Sequence, residues 1–104
     1  MNENFLFSPE TLNVGEIAVG QIGEGVFRRQ AGGLSIRRID VGCGCTTVRR
    51  TETEISVNIS IGALPEGVTV QGLKSYAPVK HLTVVFEDNT FQTLYVTARV
   101  YDPR

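Results

Sequence analysis

Glu54-Ile55-Ser56-Val57-Asn58-Ile59-Ser60-Ile61 alternates branched apolar residues with small polar ones. Period-2 alternation puts Ile55, Val57, Ile59 and Ile61 on one face of an extended strand and Ser56, Asn58 and Ser60 on the other. The same pattern recurs downstream. Leu82, Val84 and Phe86 alternate behind Lys80, and Glu87-Asp88-Asn89-Thr90 follows with residues that tolerate turn dihedrals. A return strand then spans residues 91–101, with Leu94, Val96, Ala98 and Val100 inward and Thr93, Tyr95, Thr97 and Arg99 outward. Upstream, residues 11–14, 25–29 and 34–41 read as strands separated by Gly15, Gly20, Gly23, Gly32 and Gly33. Residues 64–77 offer at most a short strand at Val68 and Val70, and residues 72–78 read as an exposed connection. No window carries a helical stripe, so the expectation is an all-β chain.

Bulk properties narrow the function classes. A length of 104 residues supports one core, and residues 1–104 are expected to form a single domain. Ten basic and eleven acidic residues give a net charge of −1, which supplies no strong field toward nucleic acid or an anionic membrane. There is no run of 18 apolar residues of the kind a membrane-spanning helix needs. Residues 1–10 are polar and acidic around a short apolar patch, unlike a signal peptide. The expected location is therefore the cytoplasm or a virion, or outside the cell after a leader has been removed.

One strand changes phase. Leu34 and Ile36 share a face, whereas Ile39, Val41, Cys43 and Cys45 follow on the opposite parity. A regular strand would send one of the two sets to solvent. A bulge or bend near Arg37-Arg38 adds one residue and re-aims the side chains, placing both cysteines on the inward face with Val41.

About seven short strands in roughly 100 residues, joined by glycine-rich turns, is how an immunoglobulin-like β-sandwich of antiparallel strands looks in sequence. The antibody hallmarks are missing, since there is no tryptophan and the two cysteines are only two residues apart. The Phe7-Ser8-Pro9 opening, the Gly15-Glu16-Ile17 step and the run Ile36-x-x-Ile39-x-Val41-x-Cys43-Gly44-Cys45-Thr46 are more specific. In this order they resemble a bacterial domain-of-unknown-function family with a Cys-Gly-Cys-Thr hallmark, within the Hydin-like (ASH-type) immunoglobulin-like domains. The resemblance covers nearly the whole chain. It implies an immunoglobulin-like sandwich, in a family with no established catalytic role whose members are typically exported. Gln30-Ala31-Gly32-Gly33 stands where the family carries an asparagine-glycine turn. A compact version without a leader fits a phage-encoded protein.

Cys43 and Cys45 admit three readings. Residues i and i+2 of a strand have Cα atoms about 6.6 Å apart, at the upper limit of ~4.4–6.8 Å for a disulfide. Zinc needs four ligands, and the chain offers two thiols and one imidazole, His81. A two-thiolate site holding Cu(I), or half a zinc site shared between copies, remains chemically open. In the third reading both thiols are small buried hydrophobes.

The pairs Arg28-Arg29, Arg37-Arg38 and Arg49-Arg50 put one arginine on each face of a strand, and no aromatic stacking platform accompanies them. They are expected as surface partners of Glu24, Asp40, Glu52 and Glu54. Gly23-x-Gly25 leads into Val26-Phe27-Arg28 instead of a helix, so it is not a dinucleotide loop. Asp40, Asp88 and Asp102 form no convergent carboxylate pair in sequence. The expected function is that of a non-enzymatic adhesion, scaffold or assembly module without cofactor or nucleic-acid partner, which binds protein or self-associates. Its contact surface is His81, Thr83, Thr93, Tyr95, Thr97 and Arg99. The alternative is a thiol redox or soft-metal (Cu/Zn) module using Cys43 and Cys45.

Overall fold

Alternation in the sequence becomes alternation in burial. The structure, a computed structural model, describes residues 6–29, 33–42 and 46–103. In chain order its elements are β1 (Thr11–Ala18), β2 (Ile22–Arg28), β3 (Ile36–Val41), β4 (Thr46–Arg50) and β5 (Glu54–Ser60). A short helix α1 (Glu66–Val70) follows, then β6 (Ser75–Tyr76), β7 (Val79–Phe86) and β8 (Phe91–Tyr101). Ile55, Val57 and Ile59 of β5, Leu82 and Val84 of β7, and Leu94, Val96 and Val100 of β8 are fully enclosed. These are the residues that the alternation assigns inward.

The strands form two sheets. One has the order β1-β8-β7-β3, with the two-residue β6 also pairing with β8; the other has the order β2-β5-β4. Phe27, Ile55 and Val57 of the smaller sheet meet Leu82, Val84, Phe86, Leu94 and Val96 of the larger one in a single cluster. A second cluster, Ile17, Ile59, Ile61, Ala98 and Val100, continues the core, and Val14 packs against both. The pairing is not antiparallel throughout, as the sequence reading expects. β1 and β8 run parallel, from Thr11 opposite Tyr95 to Ala18 opposite Tyr101. A parallel pair needs a long crossover, and every other described element lies between these two strands.

The phase change has the expected cause. Ile36 lies opposite Phe86 and Arg38 opposite Val85, so two steps on β3 match one step on β7. Beyond this bulge Ile39 faces Val84 and Val41 faces Leu82, which returns these two residues to the core side.

The connection after β5 departs from expectation. Val68 and Val70 belong to α1 and form no strand. Pro65 enters with φ −60°, and Gly72 takes φ +78°. The Gly72 N–H bonds the Thr69 carbonyl at 3.0 Å and the Leu73 N–H bonds the Val68 carbonyl at 3.1 Å, the paired bonds of a Schellman cap. Local capping thus satisfies this backbone without a sheet neighbour. No α1 residue is buried, which explains the missing apolar stripe. Residues 75 and 76, expected within an exposed connection, pair with Tyr101 and Val100 of β8.

Gly23 and Gly25 also acquire a role. Both are on the inward face of β2, where β1 packs across it. A Cβ on Gly23 would lie 3.0 Å from Val14 Cγ2 and 3.1 Å from Ile17 Cγ2, and one on Gly25 only 2.5 Å from Leu12 Cδ2. The glycines admit the side chains of β1.

Candidate interaction surface

The outward face of the larger sheet is built in ranks by strand register. Thr11 of β1, Tyr95 of β8 and His81 of β7 lie side by side. Gly42 follows, its N–H 3.4 Å from the His81 carbonyl. To one side lies the rank Thr93, Thr83 and Asp40, and beyond it Phe91, Val85 and Arg38. To the other side lie Asn13, Thr97 and Val79, then Glu16 opposite Arg99. All six residues of the expected contact surface, His81, Thr83, Thr93, Tyr95, Thr97 and Arg99, therefore share one face. Sequence parity groups them within each strand; the pairing of β7 with β8 brings the two groups together.

Apolar exposure marks this face. Phe91 is 67% exposed and Val79 60%, with Tyr95 at 37% between them. Two open depressions flank the His81–Tyr95 rank. The first, about 360 Å³, is lined by Arg38, Asp40, Thr83, Val85, Asn89 and Phe91. The second, about 330 Å³, includes Asn13, Glu16, Thr97 and Arg99. Arg38 Nε lies 3.1 Å from Asp40 Oδ1 with both side chains more than half exposed, a pair that contributes little stability. Arg37 Nη1 donates to Asn89 Oδ1 at 2.7 Å, and Arg99 Nη1 donates to Ser75 Oγ at 3.1 Å. The charged groups at both ends are thus held in place and face solvent.

Arg28 pairs with Glu54 and Arg38 with Asp40 as exposed ion pairs, in keeping with the surface reading. Arg29 does not. Its side chain is 1% exposed, and its guanidinium carbon sits 4.8 Å from the centre of the Phe7 ring and 5.5 Å from that of Phe86. Its Nε donates to the Glu52 carbonyl at 2.8 Å and its Nη2 to the Leu34 carbonyl at 2.5 Å. Among the described residues Nη1 has no hydrogen-bond partner. Burial lowers the affinity of this guanidinium for its proton, and the Glu52 carboxylate partly restores it. The sequence held the signal: Gly23, Gly25, Phe27 and Arg29 share the inward parity of β2.

Phe7 is the second residue missed. It is 2% exposed and belongs to the main core cluster, although it precedes β1. Its N–H donates to Gln92 Oε1 and its carbonyl accepts from Gln92 Nε2, each at 2.9 Å. Gln92 has the inward parity of Leu94 and Val96, so a polar residue at that position was the available sign.

Cys43 and Cys45 lie outside the described residues. Among the described residues no group of three or more His, Cys, Asp or Glu side chains could hold a metal ion, and no helix is long and apolar enough to cross a membrane. The His81 ring packs on Gly42, where a Cβ would come within 3.0 Å of Cε1.

No protein-family model matches the chain, and no curated protein matches it. Among solved structures it is similar to the crystal structure of a protein of unknown function from Porphyromonas gingivalis W83. The TM-score is 0.51 at 16% identity, over 88% of this chain and 44% of that one. The chain thus spans less than half the length of that protein. The likeness concerns the fold alone and accords with a mostly β, two-sheet architecture.

Proposed function

We propose that this chain is a non-enzymatic immunoglobulin-like β-sandwich that binds another protein through the outward face of its larger sheet. The resemblance carried by residues 36–46 and the two facing sheets with one shared core support the fold assignment. The observation that carries the function is the exposure of Phe91, Val79 and Tyr95 on the face that also holds His81, Thr83, Thr93, Thr97 and Arg99. Large apolar side chains set among ordered polar ones suit recognition of a protein surface. Aromatic and arginine side chains supply most of the energy of such contacts. An adhesion, scaffold or assembly role follows from such a module.

The test compares the chain with Tyr95→Ala and Phe91→Ala variants as immobilised bait against extract of the source cells or virions. One partner, retained by the parent and lost from both variants at unchanged thermal stability, supports the reading. Equal retention by all three proteins overturns it.

A second reading makes Cys43 and Cys45 a soft-metal or redox pair, on the strength of the Cys-Gly-Cys spacing. Purification without chelator followed by metal analysis and native thiol titration tests it. Stoichiometric copper or zinc, or rapid labelling of both thiols, supports it; metal-free protein with unreactive thiols removes it.

A further inference from the structure

We propose that residues 6–10 are an exchangeable strap, and that the seat of Phe7 accepts the same segment from a second copy of this chain. The strap passes from one sheet to the other. Ser8 exchanges two main-chain hydrogen bonds with Arg28 on the edge of β2, at 2.8 and 2.9 Å. The Glu10 carbonyl then accepts the Tyr95 N–H of β8 at 2.9 Å, where β1 begins. Between these attachments Pro9 and Glu10 are exposed. Phe7 is the one strap residue that enters the core.

Among the described residues, the strap beyond Glu10 is held by one aromatic side chain, the two bonds to Gln92, and the main-chain and Ser8 hydroxyl bonds to Arg28. All of these contacts are made to the body of the protein. A strap arriving from another copy repeats every one of them, so the closed monomer and a reciprocally exchanged dimer share the same contact set. Their balance then depends on hinge geometry and concentration, the conditions under which domain swapping is cheap.

The seat itself selects the occupant. Gln92 and the edge of β2 read main chain, so they need an extended segment, and the Arg29 guanidinium beside the seat suits an aromatic ring. An empty seat would leave the Gln92 amide unpaired and the Arg29 guanidinium without the nearer of its two ring contacts, a costly state for buried polar groups. The inference goes beyond the outward-face reading, because the seat lies between the sheets and uses none of the six face residues.

The experiment mixes two preparations of the full chain, labelled near the N-terminus with a fluorescence donor or acceptor, after slow refolding at high concentration. Energy transfer is expected, together with a species of twice the monomer mass that increases with concentration. Phe7→Ala is expected to abolish that species and Tyr95→Ala to leave it unchanged. A synthetic peptide of residues 1–10 should raise the thermal midpoint of the Phe7→Ala protein, whereas the peptide carrying the same substitution should not. A chain that stays monomeric without energy transfer at every concentration overturns the proposal. So does a dimer that survives Phe7→Ala. If Phe7→Ala does not fold, the wild-type mixing result decides.

Discussion

The side-chain amide of Gln92 closes a two-way hydrogen-bond pair with the main chain of Phe7, 85 residues earlier in the chain. It does the work of a strand neighbour for a residue that belongs to no strand. Through this pair β8 fixes a core side chain that precedes β1.

Gln92→Ala should therefore destabilise the protein by about 1–3 kcal/mol, since it leaves a partly buried N–H and carbonyl unpaired. Chemical denaturation reads the loss. Gln92→Glu should retain the acceptor but lose the donor, and stability at neutral pH should fall at least as far. A change below about 0.5 kcal/mol in both variants would show that water replaces the amide at no cost.

Arg29 offers a sharper contrast. Removing a buried cation alone leaves its acceptors unpaired, and a wrong cation adds the cost of its own desolvation. Arg29→Met should keep the contacts with Phe7 and Phe86 but leave the Leu34 and Glu52 carbonyls without their donor, at a cost of about 1–3 kcal/mol. Arg29→Lys should be less stable than Arg29→Met, because one ammonium cannot serve the Leu34 and Glu52 carbonyls in the guanidinium's geometry and adds its own desolvation. Thermal melts of the two variants side by side give the order.

Gly23→Ala should cost about 1–3 kcal/mol by overpacking. The new methyl would press on Val14, Ile17 and Ile59, branched side chains with little rotamer freedom. Gly62→Ala, with nothing within 4 Å of its Cβ position, is the control and should leave the midpoint nearly unchanged.

The β7–β8 turn predicts a dependence on pH. Asp88 Oδ1 accepts from both the N–H and the hydroxyl of Thr90, and these bonds hold its carboxyl below the usual range. A depressed folded-state pKa stabilises the protein above the unfolded value of about 3.9, and this is lost as pH falls through the folded value. Asp88→Ala should lower the midpoint at neutral pH, and the gap to the parent should narrow as the solution is acidified below about pH 4. A gap that stays constant across that range would remove the carboxylate from the account.

Much of this architecture was legible along the chain. Alternation fixed which residues of β5, β7 and β8 turn inward, and the parity break between Ile36 and Ile39 located a bulge that the register bears out. The outward grouping of Thr93, Tyr95, Thr97 and Arg99 was legible for the same reason: strand periodicity is a local property. Where local capping outweighed β-propensity, as at Val68 and Val70, the reading erred.

The sequence by itself determined the mostly β class, the inward faces of the long strands and the turn at residues 87–90. Only the tertiary structure decided that β1 lies parallel to β8, that Phe7 enters the core, and that Arg29 is enclosed between two rings. It also decided that His81 stands beside Tyr95 to make one surface of two strands. These facts join residues far apart in the chain, such as Phe7 and Gln92. No periodicity encodes such pairs, because their energy comes from which faces meet when the two sheets close.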